Sequence, residues 1–289
     1  IWQINREGQP YGPSPHGASW GDTPWTEAYR LPGSTAVGVG ARLLRRYPWP
    51  FAAMERCTYR LSDGAIAGNQ AAAQVLRDKG YGGSLAVIPQ FGVDPDLFRP
   101  RPAAKAERPF TVGFAGRLEE SKGLGTLAEA LLGLGGEWRL TLLGRGPWGD
   151  LLLRRLQQAG LSERVTLVGH VPSQQMPARL AELDALVLPS LTRPNWKEQF
   201  GRVLIEAMAC EVAVIGSDSG EIPHVIGEAG LIFPEGDPLA LRQRLALLRD
   251  AAALRRRLAA KGRERVQAHY TQAHVAAQTV AFYHQVLAA

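Results

Sequence analysis

The sequence predicts an α/β protein built on a central parallel sheet with helices on both faces. Three observations carry this. From Phe110 onward, short apolar runs alternate with longer segments whose apolar residues recur at helical spacing. The runs are apolar nearly throughout, as strands covered on both faces are. Gly and Pro punctuate the joints, as at Gly123, Gly146-Pro147 and Pro172.

Taken in order, the predicted strands are 110–115 (FTVGFA), 138–144 (WRLTLLG), 164–169 (RVTLVG), 185–190 (ALVLPS) and 212–216. Helices are expected over 124–134, 151–160, 176–183 and 200–209. The end of the chain reads as three helices, 237–249, 251–267 and 272–287, with no Pro after Pro238. Before Phe110 the chain is looser and richer in Trp, Gly and Pro. It offers a strand at 34–40, a helix from Phe51 to Leu61, a strand at 64–68, a helix over 69–79 and a strand at 84–89. Phe91 to Pro109, with four prolines, reads as a linker stretch. The expected organisation is a first domain over 1–97, a linker over 98–109, a second domain over 110–271 and a closing helix over 272–289 that packs back toward the first domain.

With 45% hydrophobic and 21% charged residues, the composition excludes disordered, collagen-like and coiled-coil classes. No apolar run approaches the roughly 20 residues of a membrane span, and no basic-then-apolar leader opens the chain. Cys57 and Cys210 form neither a disulfide framework nor a metal cluster, as in a reducing compartment. The net charge of +6 invites nucleic acid, an anionic membrane or a phosphorylated substrate. No basic-aromatic repeat or recognition module supports nucleic acid, which is not expected as a partner.

Two segments carry chemistry. In Trp196-Lys197-Glu198-Gln199-Phe200-Gly201-Arg202-Val203-Leu204-Ile205-Glu206 the helix should begin near Gly201, whose first free N–H groups suit an anion. One of the two glutamates can then reach sugar hydroxyls near a phosphate while the other accepts hydrogen bonds from a ribose diol; the alternative is that both are surface residues. In Val112-Gly113-Phe114-Ala115-Gly116-Arg117 and the following Leu118 to Gly123, a strand ends at a glycine, and Arg117 and Lys122 follow on the next loop. Loops at the carboxyl ends of parallel strands bind ligands in such folds, and this pair suits a diphosphate; the alternative is a solvated basic pair. Gly144-Arg145-Gly146-Pro147-Trp148-Gly149 matches a dinucleotide fingerprint, yet Pro147 and Trp148 are poor choices there and no acidic residue ends the following strand. It reads as a tight turn.

The two segments, with VIPQFGVDPDLFRP, LGRGP and VGHVP, resemble the retaining glycosyltransferases of family 4, across roughly 91–289. Glu198 and Glu206 stand at the spacing of that family's two glutamates. The resemblance implies the GT-B fold, two Rossmann-like doubly wound domains, here with the N-terminal (acceptor) one incomplete. It implies that Arg117 and Lys122 hold a donor diphosphate and Glu206 the ribose. It implies that Glu198, with backbone at Phe200, Gly201 and Arg202, holds the transferred sugar, and that the backbone around His170 and Val171 meets the base. Gly116 and Val203 complete the donor-binding set. The implied reaction moves a sugar from a nucleotide-diphosphate sugar to an acceptor hydroxyl with retention, in polysaccharide or glycolipid synthesis. Fixed basic groups replace a metal, so no metal and no other cofactor is expected. The family's opening strand with its Gly-rich loop has no counterpart, so a nucleotide-sugar-binding module without transfer is the alternative.

The expected location is cytoplasmic, with a sugar or lipid-linked acceptor and peripheral contact at the inner membrane face. Residues 41–60 hold Arg42, Arg45, Arg46, Arg56 and Arg60 among Tyr47, Trp49 and Phe51. In the competing reading Phe51, Met54 and Leu61 face the core and the arginines are merely solvated.

Overall fold

The computed structural model describes residues 2–4, 10–11, 49–100, 108–194 and 196–288. The strand expected at 34–40, and Arg42, Arg45, Arg46 and Tyr47, lie outside the described residues. The chain divides into two compact units, residues 1–88 with 279–289 and residues 89–278.

In the first unit, β1 (Trp2–Ile4) pairs antiparallel with β2 (Pro10–Tyr11) and with β3 (Gly64–Ala67), which runs parallel to β4 (Ser84–Val87). Helix α1 (Trp49–Leu61) precedes β3, and α2 (Gln70–Asp78) connects β3 to β4. Asn69 caps α2, its side-chain oxygen accepting from Ala72 N at 2.8 Å. Strands β1 and β2 were not expected from sequence. Met54 and Leu61 are 67% and 72% exposed, so the reading that placed them in a core does not hold.

The second unit contains a six-stranded sheet in the order β10-β9-β8-β5-β6-β7, parallel throughout. Its strands are β5 (Phe110–Ala115), β6 (Trp138–Leu143), β7 (Val165–Gly169), β8 (Ala185–Leu188), β9 (Ala213–Ser217) and β10 (Leu231–Phe233). The three-residue β10 is too short for its pattern to be read in isolation. The crossover helices are α3 (Leu124–Leu132), α4 (Pro147–Gln158), α5 (Met176–Leu180), α6 (Arg202–Ala209) and α7 (Ile222–Ile226). They are followed by α8 (Pro238–Asp250), α9 (Ala252–His269) and α10 (Gln272–Leu287). Pro147 opens α4 at its first turn, so the second half of the Gly144–Gly149 motif is helix rather than turn.

Alternate residues of the strands feed two cores, one on each face. Ala185, Val187, Ala213 and Ile215 meet α3, α4 and α8, while Leu186, Leu188 and Val214 meet α5, α6, α7 and α9. Residues 89–100 are part of this unit: Val93 and Phe98 are buried, and Val93 N donates to Tyr270 O at 2.9 Å. From Thr279 onward α10 belongs to the first unit, where Phe282 and Val286 cover Gly64.

The basic stretch 242–265 does structural work. Arg242 donates to Ala130 O and Glu129 O near the end of α3, and Arg255 to Leu248 O near the end of α8. Arg263 reaches Ala209 O at the end of α6, and Arg265 reaches His224 O and Val225 O in α7. The last carbonyls of a helix lack intrahelical donors and carry partial negative charge. A planar guanidinium reaches two such oxygens at once, which a lysine cannot match. Part of the net positive charge is thereby accounted for by the fold rather than by a partner. Among the described residues no helix is long and apolar enough to cross a membrane, and no three His, Cys, Asp or Glu side chains are grouped to hold a metal ion.

Candidate active site

The order in which strands are added reverses between β5 and β8: from β5 the chain winds to β6 and β7, and from β8 to β9 and β10 on the other side. Loops leaving the carboxyl ends of the two strands at such a point enclose a crevice. The loop after β5 carries Gly116, Arg117 and Lys122, and the loop after β8 carries Ser190, Trp196, Glu198 and Gly201. They are pinned together where Leu191 N donates to Ser121 O at 2.8 Å and Arg193 pairs with Glu120 at 2.7 Å. At Gly123 (φ 70°) a Cβ would stand 1.7 Å from Pro189 O, so the two loops approach this closely only around a glycine.

Lys122 and Glu198 are 76 positions apart in the chain, yet Lys122 Nζ donates to Glu198 Oε2 at 2.7 Å. Ser190 Oγ donates to the same oxygen at 3.0 Å. Ser190 is itself buried, and its carbonyl accepts from the buried Ser217 hydroxyl at 2.6 Å. Lys122 Nζ also lies 4.6 Å from the centroid of the Trp196 ring, a cation–π contact. Both donors thus converge on Oε2. Glu198 Oε1 has no donor among the described residues and is open to solvent. The Glu198 backbone is held in turn, its carbonyl accepting from Glu221 N at 3.0 Å.

Gly201 sits in the left-handed region (φ 76°, ψ 53°) as the residue before α6, as the break in the apolar pattern predicts. Glu206 lies on α6 and is buried, with Arg202 Nε donating to its Oε1 at 2.7 Å. Burial pushes the Glu206 carboxyl above its ordinary range, and the charge and hydrogen bond of Arg202 oppose that shift. A cleft of about 270 Å³ is lined by Gly116, Arg202, Val203 and Glu206 from the sequence-predicted set, together with Phe98, Ala115, Ser173 and Met176.

Other members of that set are placed differently. Arg117 pairs with Glu119 at 2.9 Å, and its side chain is 69% exposed, against 14% for Lys122. Phe200 is buried against Phe91 and Tyr270, which leaves its backbone as the part available to a ligand. His170 is exposed and Val171 is buried in the core, whereas Ser173 and Met176 from the same connection line the cleft. Ser173, Met176, Phe98 and Ser190 escaped the sequence reading because single Ser, Met and Phe residues carry no spacing signal.

The profile described as "Glycosyl transferases group 1" matches residues 98–265, more than half of the chain. The chain belongs to the group 1 glycosyltransferases. Among curated members it is 34% identical over 165 residues to the putative colanic acid biosynthesis glycosyltransferase WcaL of Escherichia coli K12, covering 55% of this chain and 41% of that protein. It is 33% identical over 222 residues to the GDP-mannose-dependent alpha-(1-6)-phosphatidylinositol monomannoside mannosyltransferase of Mycobacterium tuberculosis H37Rv, covering 70% of this chain and 56% of that protein. Among solved structures, sucrose-phosphate synthase from Thermosynechococcus elongatus superposes with a TM-score of 0.69 at 29% identity, covering 82% of this chain and 61% of that one. The α/β fold matches the GT-B glycosyltransferases, with a fully parallel sheet in the second unit and, against expectation, a mixed sheet in the first, where β1 pairs antiparallel. This group 1 chain spans about half the length of the curated relatives it matches.

Proposed function

We propose that the chain is a retaining, family 4 glycosyltransferase that moves a sugar from a nucleotide-diphosphate sugar to an acceptor hydroxyl in polysaccharide or glycolipid assembly. The observation that carries this is the convergence of Lys122 and Ser190 on one oxygen of Glu198, at the sheet's switch point and just before the N-terminus of α6. Membership in the group, and the activities named for WcaL and for the mannosyltransferase, support the reading.

In this assignment the ribose lies at Glu206, the diphosphate at Lys122, Arg117 and the free N–H groups of α6, and the transferred sugar at Glu198 Oε1. The bond between the anomeric carbon and the leaving phosphate oxygen breaks while the acceptor oxygen bonds to that carbon from the same face. The acceptor proton passes to the leaving diphosphate. Charge growing on the diphosphate meets cationic and dipolar groups already in place, the arrangement that lowers a barrier most effectively. Glu198, held by two donors through Oε2, orients the sugar and counters positive charge on its ring. These groups do the work a metal does elsewhere, and the proposed reaction needs none.

Calorimetry with UDP, GDP and ADP and their nucleosides tests the placement. Lys122→Ala should weaken the diphosphate by about 1.5 to 3 kcal/mol, the worth of one charge-assisted contact, and leave the nucleoside nearly unchanged. Arg117→Ala should act in the same direction but less, because the Arg117 side chain is 69% exposed against 14% for Lys122 and its charge is screened by water. Equal losses for nucleoside and diphosphate would overturn the assignment. Product formation from a bound nucleotide sugar separates transfer from the alternative of binding alone.

The mannosyltransferase named above carries a phosphatidylinositol monomannoside in its name, which favours a lipid-linked acceptor for this chain. Helix α1 exposes Met54 and Leu61, one face of two turns, beside the exposed Arg56 and Arg60. Basic side chains near an anionic leaflet contribute about 1 kcal/mol each. Co-sedimentation with phosphatidylserine-containing vesicles should therefore be seen at low salt and lost at high salt. Absence of binding at low salt would rule out the membrane contact.

A further inference from the structure

Arg202 is the cleft residue to which the assignment above gives only a backbone role, and its side chain is placed with purpose. Its Nε donates to Glu206 Oε1 at 2.7 Å, and its guanidinium stands 5.8 Å from the centroid of the Phe91 ring. The Arg202 side chain is 54% exposed, while that of Glu206 is 9% exposed. Among the described residues no donor reaches Glu206 Oε2, and Glu206 lines the cleft. One carboxylate oxygen is therefore tied down by a cation and the other is presented to a ligand.

We propose that Arg202 is a positioning residue for Glu206: its guanidinium ties down one carboxylate oxygen and so fixes which oxygen is presented to the ribose hydroxyls. The proposal rests on the reading of Glu206 as the ribose acceptor. A carboxylate accepts from both hydroxyls of a diol, whereas a protonated carboxyl has a donor of its own and accepts less well. Burial drives Glu206 toward the protonated form, and Arg202 supplies the opposing charge. The other ionisable groups beside this helix include the Lys122–Glu198 pair before its start, Cys210 and Glu211 at its end, and Arg263 of α9, which lies 3.9 Å from Glu211. The Cys210 thiol, pushed up to about 12 by burial, stays neutral, and Arg263 is engaged at Ala209 O. The guanidinium lies against the Phe91 ring while its Nε bonds the carboxylate, so a lysine at 202 would restore the charge but only part of the geometry.

The test compares wild type, Arg202→Leu, Arg202→Lys and Glu206→Gln. Each is titrated with the nucleoside diphosphate that wild type binds best and with its 2′,3′-dideoxy analogue, from the ordinary glutamate range up to mildly alkaline pH. Wild type should lose affinity for the ribonucleotide, relative to the dideoxy analogue, only near the ordinary glutamate range, where Glu206 itself takes up a proton. Arg202→Leu should lose roughly tenfold in affinity at the acidic end and recover much of it as pH rises. Arg202→Lys should lie between the two. The dideoxy analogue and the Glu206→Gln protein should show no such pH dependence.

Urea unfolding without ligand gives an independent readout. Without Arg202 the folded-state pKa of Glu206 rises further, so the native state holds a proton the unfolded chain has released. The stability of Arg202→Leu should fall relative to wild type as pH rises from the ordinary glutamate pKa through the raised one. A pH-flat loss in Arg202→Leu, or an equal loss for the ribo and dideoxy ligands, would overturn the role of Arg202 and leave the nucleotide site standing. Failure of wild type to distinguish ribo from dideoxy ligand would overturn the ribose assignment, and this inference with it.

Discussion

Replacing Glu198 by Gln is expected to lower sugar transfer by about 10²- to 10³-fold, the usual effect of losing one fixed electrostatic group at a reacting centre. The amide keeps the size of the carboxylate but cannot supply its charge or accept at both ends. Lys122 and Ser190 now both point at one oxygen, so in the variant Lys122 loses its counter-ion and becomes free for a diphosphate. Affinity for the free nucleoside diphosphate should accordingly stay within roughly threefold of wild type or tighten, well under 1 kcal/mol of loss. The measurement is a pair, turnover with the nucleotide sugar and calorimetry with the nucleotide. A loss of nucleotide binding as large as the loss of turnover would place Glu198 with the nucleotide and not with the sugar.

Gly123→Ala should cost about 3 kcal/mol or more, measured by urea unfolding. A residue with a side chain is strained at φ 70°, and strain of this kind costs about 1 to 3 kcal/mol. The added Cβ would also stand 1.7 Å from Pro189 O and 2.7 Å from Pro189 C. Backbone cannot move aside as a flexible side chain does, so the β5 and β8 loops must separate. Lys122 adjoins the substituted position and Ser190 adjoins Pro189, so separation pulls apart the 2.7 Å and 3.0 Å contacts to Glu198. Nucleotide binding should weaken along with stability. An alanine variant with wild-type stability and wild-type binding would show that the loops do not meet as described.

The strands β5, β6, β7, β8 and β9 and most helices were legible because burial on both faces of a parallel sheet leaves continuous apolar runs, and helices leave a 3.6-residue period. Where the signal is short it failed. Leu231–Phe233 is three residues long, and Trp2–Ile4 and Pro10–Tyr11 take their identity from antiparallel partners. The Gly144–Gly149 pattern suggests a turn at Pro147, yet proline is favoured in the first turn of a helix and opens α4 here. In the candidate site, Gly201 before a helix and glutamates at 198 and 206 could be named from spacing. Ser173, Met176 and Phe98 could not, since their place in the cleft depends on where β7 ends and on how the chain before β5 packs.

The same division holds for charge. That the chain is strongly basic, and rich in arginine over lysine, is plain from composition. That Arg242, Arg255, Arg263 and Arg265 are spent on helix carbonyls is visible only after those helices are packed. By itself the sequence determined the α/β class, the run of parallel strands, the start of α6 and the candidate residues, because each of these is encoded in neighbours within a few turns or one strand. Tertiary structure alone decided that Lys122 faces Glu198 while Arg117 turns to Glu119, that both donors share one carboxylate oxygen, and that Arg202 ties down Glu206. The physical reason is that the order of strands in the sheet, not distance along the chain, sets which loops meet, and direction within a loop is set by the backbone on which each side chain stands.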